Sequence, residues 1–85
     1  MDANIPSEYL GPFQEALLED GYLVRYAGHD PENSGKWRAI FKVLKGSRVL
    51  HTQILDMPFE SQSMAVAAAL ETGVRAADQL RSMNQ

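Results

Sequence analysis

The stretch from Lys36 to Asp56, K-W-R-A-I-F-K-V-L-K-G-S-R-V-L-H-T-Q-I-L-D, constrains the fold more than any other part of the chain. Its first run alternates, with Trp37, Ala39, Phe41 and Val43 on one side and Lys36, Arg38, Ile40, Lys42 and Leu44 on the other. A period of two marks a half-buried strand, because successive side chains leave opposite faces of the backbone. Gly46-Ser47 then interrupts the run with glycine first, the order that suits a two-residue hairpin loop. The stretch therefore predicts two antiparallel strands. The second, Arg48 to Leu55, sets Leu50, Thr52 and Ile54 against Val49, His51, Gln53 and Leu55. Both of its sides carry apolar groups, so its register is weakly specified.

The segments on either side complete the expected architecture. Gly11-Pro12 breaks the chain, and Phe13, Ala16 and Leu17 then share one side of a short helix that Gly21 ends. Glu15, Glu19 and Asp20 form its outer face. Two of these acids fall in the last turn, where the helix dipole disfavours them, which calls for a basic neighbour. Tyr22 to Ala27 alternates Tyr22, Val24 and Tyr26 against Leu23, Arg25 and Ala27 and reads as a strand. Gly28 to Gly35, G-H-D-P-E-N-S-G, has the composition of an exposed turn. Asp56-Met57-Pro58-Phe59 leads to a long helix from Ser61 or Ser63 to about Ser82, capped by a serine. Val66, Ala69, Leu70, Gly73, Ala77 and Leu80 make its stripe, and Gly73 leaves room for a bulky ring such as Trp37 or a tyrosine. Met64, Val74 and Met83 fall off that stripe. The expected fold is α+β, a three-stranded antiparallel sheet with a short N-terminal and a long C-terminal helix in the order α-β-β-β-α. The 85 residues form a single domain, with 1–10 as a flexible lead-in.

Composition narrows the function classes. The chain has no cysteine, so no disulfide or thiolate metal site is expected and a reducing compartment suits it. No apolar run approaches the ~20 residues of a membrane span, and the first twenty residues lack the pattern of a signal peptide. A cytoplasmic protein with no membrane contact is expected. The net charge of −3 divides unevenly: residues 25–48 carry +4 and the remainder −7. The strand region is basic between acidic flanks, a pattern that either neutralises itself or presents cations to an anionic partner.

From about Pro12 to Leu80, the element order, the turn-rich loop after the first strand and the alanine-rich last helix resemble the double-stranded RNA-binding domain. Gly35-Lys36-Trp37-Arg38-Ala39, ahead of a hairpin and a helix, is also similar to the G-x-W-x-A strand in the amino-terminal DNA-binding domains of phage integrases. These resemblances imply a sheet backed by helices and, for function, contact with nucleic acid. The RNA-binding family carries a K-K-x-A-K cluster at the start of its last helix, where lysines meet phosphates. This chain has Ser61-Gln62-Ser63-Met64-Ala65-Val66-Ala67 there, and acidic Asp30 and Glu32 in the loop after the first strand. None of that family's RNA-contacting residues is carried over.

The residues that could do chemistry are few. His29, Asp30, Glu32 and Asn33 share a loop, yet a calcium loop needs further acids at fixed spacing and a closing bidentate glutamate. His51 with Asp56 could form an acid–base pair, but no activated nucleophile or phosphate-binding glycine loop accompanies them. No catalysis, cofactor or metal is expected. The cluster that remains is Arg25, Arg38 and Lys42 interleaved with Leu23, Ile40 and Leu44 on one sheet face, with Arg48 near the turn. Arg25, Arg38, Ile40, Lys42, Leu44 and Arg48 are therefore the candidate partner-binding residues. Two functions fit them: a protein-interaction or regulatory module that binds a protein partner or self-associates as a homodimer, or a nucleic-acid-binding domain using the basic strands. The short N-terminal helix could also cover that face.

Overall fold

The computed structural model describes residues 13–83; the expected lead-in, 1–10, lies outside them. Four strands, β1 (Gln14–Leu17), β2 (Tyr22–His29), β3 (Arg38–Lys45) and β4 (Arg48–Ile54), form one antiparallel sheet in the order β1-β2-β3-β4. One helix, α1 (Gln62–Met83), follows and packs over β2 and β3. The α+β class is as expected, but the sheet has four strands rather than three. Where a short N-terminal helix was expected, the described residues form a strand and a single 3-10 turn, Glu19–Gly21.

The reason lies in pairing. Gln14–Leu17 hydrogen-bonds along β2 with Gln14 opposite Tyr26 and Leu17 opposite Leu23, which occupies what would otherwise be a bare edge of β2. Read at a period of two, the segment sends Phe13, Glu15 and Leu17 to one face and Gln14 and Ala16 to the other. Asp20 and Gly21 both take left-handed backbone angles, φ +62° and +79°, so the chain reverses there instead of continuing a helix. The acids at this turn still receive a basic neighbour. Arg81, near the end of α1, lies 3.6 Å from Glu19, 3.5 Å from Asp20 and 3.4 Å from Asp78. This cluster joins the helix end to the β1–β2 turn.

β3 is the centre of the molecule and is buried on both faces. Ala39, Phe41 and Val43 meet the helix together with Tyr22 and Val24 of β2. The helix answers with Ala65, Ala69, Gly73 and Ala77, a buried residue every fourth position. Val66, Leu70 and Leu80 of the expected stripe are half-buried along its margins. Gly73 does admit a large side chain, but the ring is Phe41, beside Val24, and not Trp37 or a tyrosine. At the other end, a Cβ on Gly28 would come 2.9 Å from the Ala65 Cβ, so β2 and α1 touch nearly backbone to backbone. Ser61 caps the helix, its Oγ accepting the Met64 N–H at 3.2 Å.

The ambiguous register of β4 is resolved by a bulge. His51 lies opposite Val43 but Val49 lies opposite Leu44, which leaves Leu50 as an extra residue. Leu50 packs into the helix-side core, while Ile54, four residues on, packs on the other face with Ile40. A regular strand would have put both on one side. The hairpin turn itself follows the sequence: Lys45 pairs with Arg48 across Gly46-Ser47, and Gly46 has φ +61°.

Gly73 supplies a direct test of how close the two layers are. An added Cβ would stand 2.6 Å from Val24 Cγ1 and 3.3 Å from the Phe41 ring. Alanine gains about 1 kcal/mol in helix propensity, whereas overpacking a core costs typically about 1–3 kcal/mol. Gly73→Ala is expected to lower the urea midpoint, with a net loss of up to about 2 kcal/mol; a raised midpoint would show that the layers separate freely.

Candidate interaction surface

The face of the sheet away from α1 is organised in rows that cross the strands. Leu17, Leu23, Leu44 and Val49 stand side by side across all four strands. The next row is Glu15, Arg25, Lys42 and Thr52, and the next Ala27, Ile40 and Ile54, on which Phe13 packs. His29 and Arg38 form the last. Aliphatic and charged rows thus alternate along the strands.

Five of the six expected site residues, Arg25, Arg38, Ile40, Lys42 and Leu44, share this face, but their exposure differs from expectation. Ile40 has no exposed surface and Leu44 is 6% exposed, so neither is an open apolar group. Lys42 is 9% exposed, with its Nζ 5.4 Å from the centre of the Phe13 ring. Arg25 is half-exposed and its Nε donates to Glu15 at 2.8 Å. Arg38 Nη1 donates to the Asp56 carbonyl at 2.6 Å. Arg48 is exposed but lies opposite Lys45, whose Nζ stands over the Tyr22 ring, so it belongs to the helix side. The cations of this face are largely engaged by their own chain.

Accessible apolar groups lie elsewhere. Leu17 is 85% and Val49 42% exposed, at the two ends of the first row. The sequence pattern marks neither as exposed, because Leu17 fits one side of a short helix and the register of the strand that holds Val49 is weakly specified. Val49 also lies on β4, the last strand, whose outer edge pairs with nothing among the described residues. Met64 and Met83 are exposed but sit at opposite ends of α1, roughly 28 Å apart at 1.5 Å per residue. Val74 packs against the core. These three do not make one patch.

The chemical candidates are accounted for by local structure. Asp30 accepts the backbone N–H of Ser34 at 3.0 Å and of Gly35 at 2.8 Å, and the Ser34 hydroxyl at 3.3 Å. Its carboxylate organises the loop. No group of three or more histidine, aspartate or glutamate side chains is placed to hold a metal ion among the described residues. His51 sits on the helix side of β4, 5.8 Å from the Phe41 ring and 3.2 Å from Gln53 Oε1, in place of an acid–base pair with Asp56. No helix among the described residues is long and apolar enough to cross a membrane.

Compared with known proteins, the chain matches no family model, no curated protein and no solved structure.

Asp30 has a predictable titration. The Ser34 backbone N–H, assisted by the Gly35 N–H and the Ser34 hydroxyl, holds its carboxyl below the ordinary 3.8 against a smaller opposing effect of desolvation. A depressed carboxyl stabilises the loop above its unfolded-state value and loses that effect as pH falls through the folded one. Carboxyl NMR is expected to place its midpoint below 3.8, with the Gly35 amide shifting in step. A midpoint at or above 3.8 would mean that the loop bonds do not persist in solution.

Proposed function

We propose that this chain is a small non-enzymatic interaction module that self-associates through its sheet. The observation that carries the reading is the free side of β4. This seven-residue strand leaves one edge of the sheet unpaired among the described residues, and it exposes Val49. Unpaired strand edges are templates for another strand, and proteins that keep them idle block them with lysine, proline or a covering element. From Val49 to Ile54 the strand has neither proline nor charge, and α1 lies mainly over β2 and β3. A bulge at Leu50 bends it, and the rest of its outer edge pairs with no strand among the described residues.

The basic residues favour this reading over nucleic-acid binding. Phosphate contact needs cations free to displace counterions. On the outer face Arg25 is paired with Glu15, Arg38 donates to a backbone carbonyl and Lys42 is nine-tenths buried. A polyanion would have to compete with each of these arrangements.

Light scattering coupled to size exclusion tests the proposal. Wild type is expected to run as a dimer whose population rises with concentration, and Val49→Lys, which places an edge charge at a half-exposed site, as a monomer with stability changed by less than about 0.5 kcal/mol. A wild-type monomer at every concentration would overturn the reading, and binding to duplex DNA or RNA at low salt would then decide for the alternative.

A further inference from the structure

We infer that two copies of this chain pair β4 against β4, antiparallel, about a two-fold axis through Thr52, so that their sheets merge into one. The inference rests on the self-association proposed above and adds its surface, its register and its partner, a second copy.

The backbone sets the register. The Leu55 N–H donates to the Ala39 carbonyl at 2.9 Å, so the polar groups of Leu55 point toward β3. In an antiparallel strand that direction alternates, which turns Gln53 and His51 inward and Thr52 and Ile54 outward. The outward N–H and C=O groups of Thr52 and Ile54 therefore lie on the open edge. An isologous two-fold contact must be self-complementary. An axis at Thr52 sets Thr52 opposite its own copy and His51 opposite Gln53.

The bulge makes the rest of the pairing consistent. Because Leu50 is an extra residue, Val49 and not Leu50 comes opposite Ile54 of the second copy. Val49 and Ile54 both belong to the outer face, as their partners Leu44 and Ile40 establish, so two apolar side chains meet on one side of the merged sheet. Paired by residue count alone, Leu50, which the bulge turns to the helix-side core, would be set against the outer-face Ile54. One step further, Arg48 comes opposite Leu55, within reach of Asp56 of the second copy. Arg48 and Asp56 are exposed, and neither forms an ion pair among the described residues. The opposite ends of the strand thus carry opposite charges, the arrangement an antiparallel pair of identical strands requires. The helices would stand about four strand spacings apart, roughly 19 Å, which exceeds a helix diameter of about 10–12 Å. They do not collide.

The cysteine-free chain makes this directly testable. Opposed hydrogen-bonded residues of an antiparallel pair have Cα atoms about 5.5 Å apart, inside the ~4.4–6.8 Å range of a disulfide. Full-length Thr52→Cys, oxidised with copper phenanthroline, is expected to form a covalent dimer at least tenfold faster than Ala67→Cys on the exposed side of α1. Thr52→Pro removes an N–H that faces the edge and donates to no strand among the described residues, so it is expected to be folded by circular dichroism and monomeric by light scattering. A wild-type dimer in which Thr52→Cys links no faster than Ala67→Cys, or in which folded Thr52→Pro remains dimeric, would overturn the β4 pairing and leave self-association standing. A wild-type monomer would overturn both. Should Thr52→Pro fail to fold, the cross-linking rates decide alone.

Discussion

The close approach of α1 to β2 and β3 is the contact on which the rest of this small fold depends. It is made by absence of bulk: Ala65, Ala69, Gly73 and Ala77 on the helix, and Gly28 on the sheet. With so little side chain on the helix, Val24, Phe41 and Val43 of the sheet reach its surface and fill the space between layers. A chain of 85 residues buries a small core, so each of these residues contributes a large share. Complete burial of one such side chain is worth roughly 1.5–3 kcal/mol, comparable with a good part of the net stability of a domain this size.

That contact also decides where the free surface lies. A helix seated on β2 and β3 leaves β4 at one margin of the layer, and β1, joined to β2 by four residue pairs, forms the opposite edge. The outer face is no open platform. Its centre is packed by Ala27, Ile40, Ile54 and Phe13, and its cations are turned to partners within the chain. What stays accessible is peripheral: Leu17 at one border, and Val49 with the backbone edge of β4 at the other. Edge pairing, where it occurs, relies on main-chain groups with modest side-chain selectivity.

The Arg81 cluster and the Asp30 loop act at the two ends of this arrangement. Arg81 gathers Glu19, Asp20 and Asp78, three acids that would otherwise repel one another where the helix finishes beside the β1–β2 turn. Exposed pairs of this kind contribute at most about 1 kcal/mol each, and their geometric effect is to hold the turn against α1. Asp30 orders the long β2–β3 connection through backbone donors, which keeps β2 and β3 in register at the end of the sheet that has no tight hairpin.

Several elements were legible in the residues alone, and for a common reason: each is specified locally. The β3–β4 hairpin follows from alternation around Gly46, the long helix from its small-residue stripe and serine cap, and the exposed loop from Asp30 and its glycines. What the sequence could not settle depended on neighbours distant along the chain. β1 is four residues long and its apolar positions fit a helix as well as a strand; the bare edge of β2 decided the matter by supplying hydrogen-bond partners. The direction of Leu50 depended on the bulge, which arises from fitting β4 to β3 and the helix-side core together. The burial of Ile40, Lys42 and Leu44 followed from their place on the central strand, since exposure is set by what packs alongside a residue and not by its own side chain. Local pattern determined the kinds of elements in this protein; only tertiary pairing decided which of their faces and edges remain free.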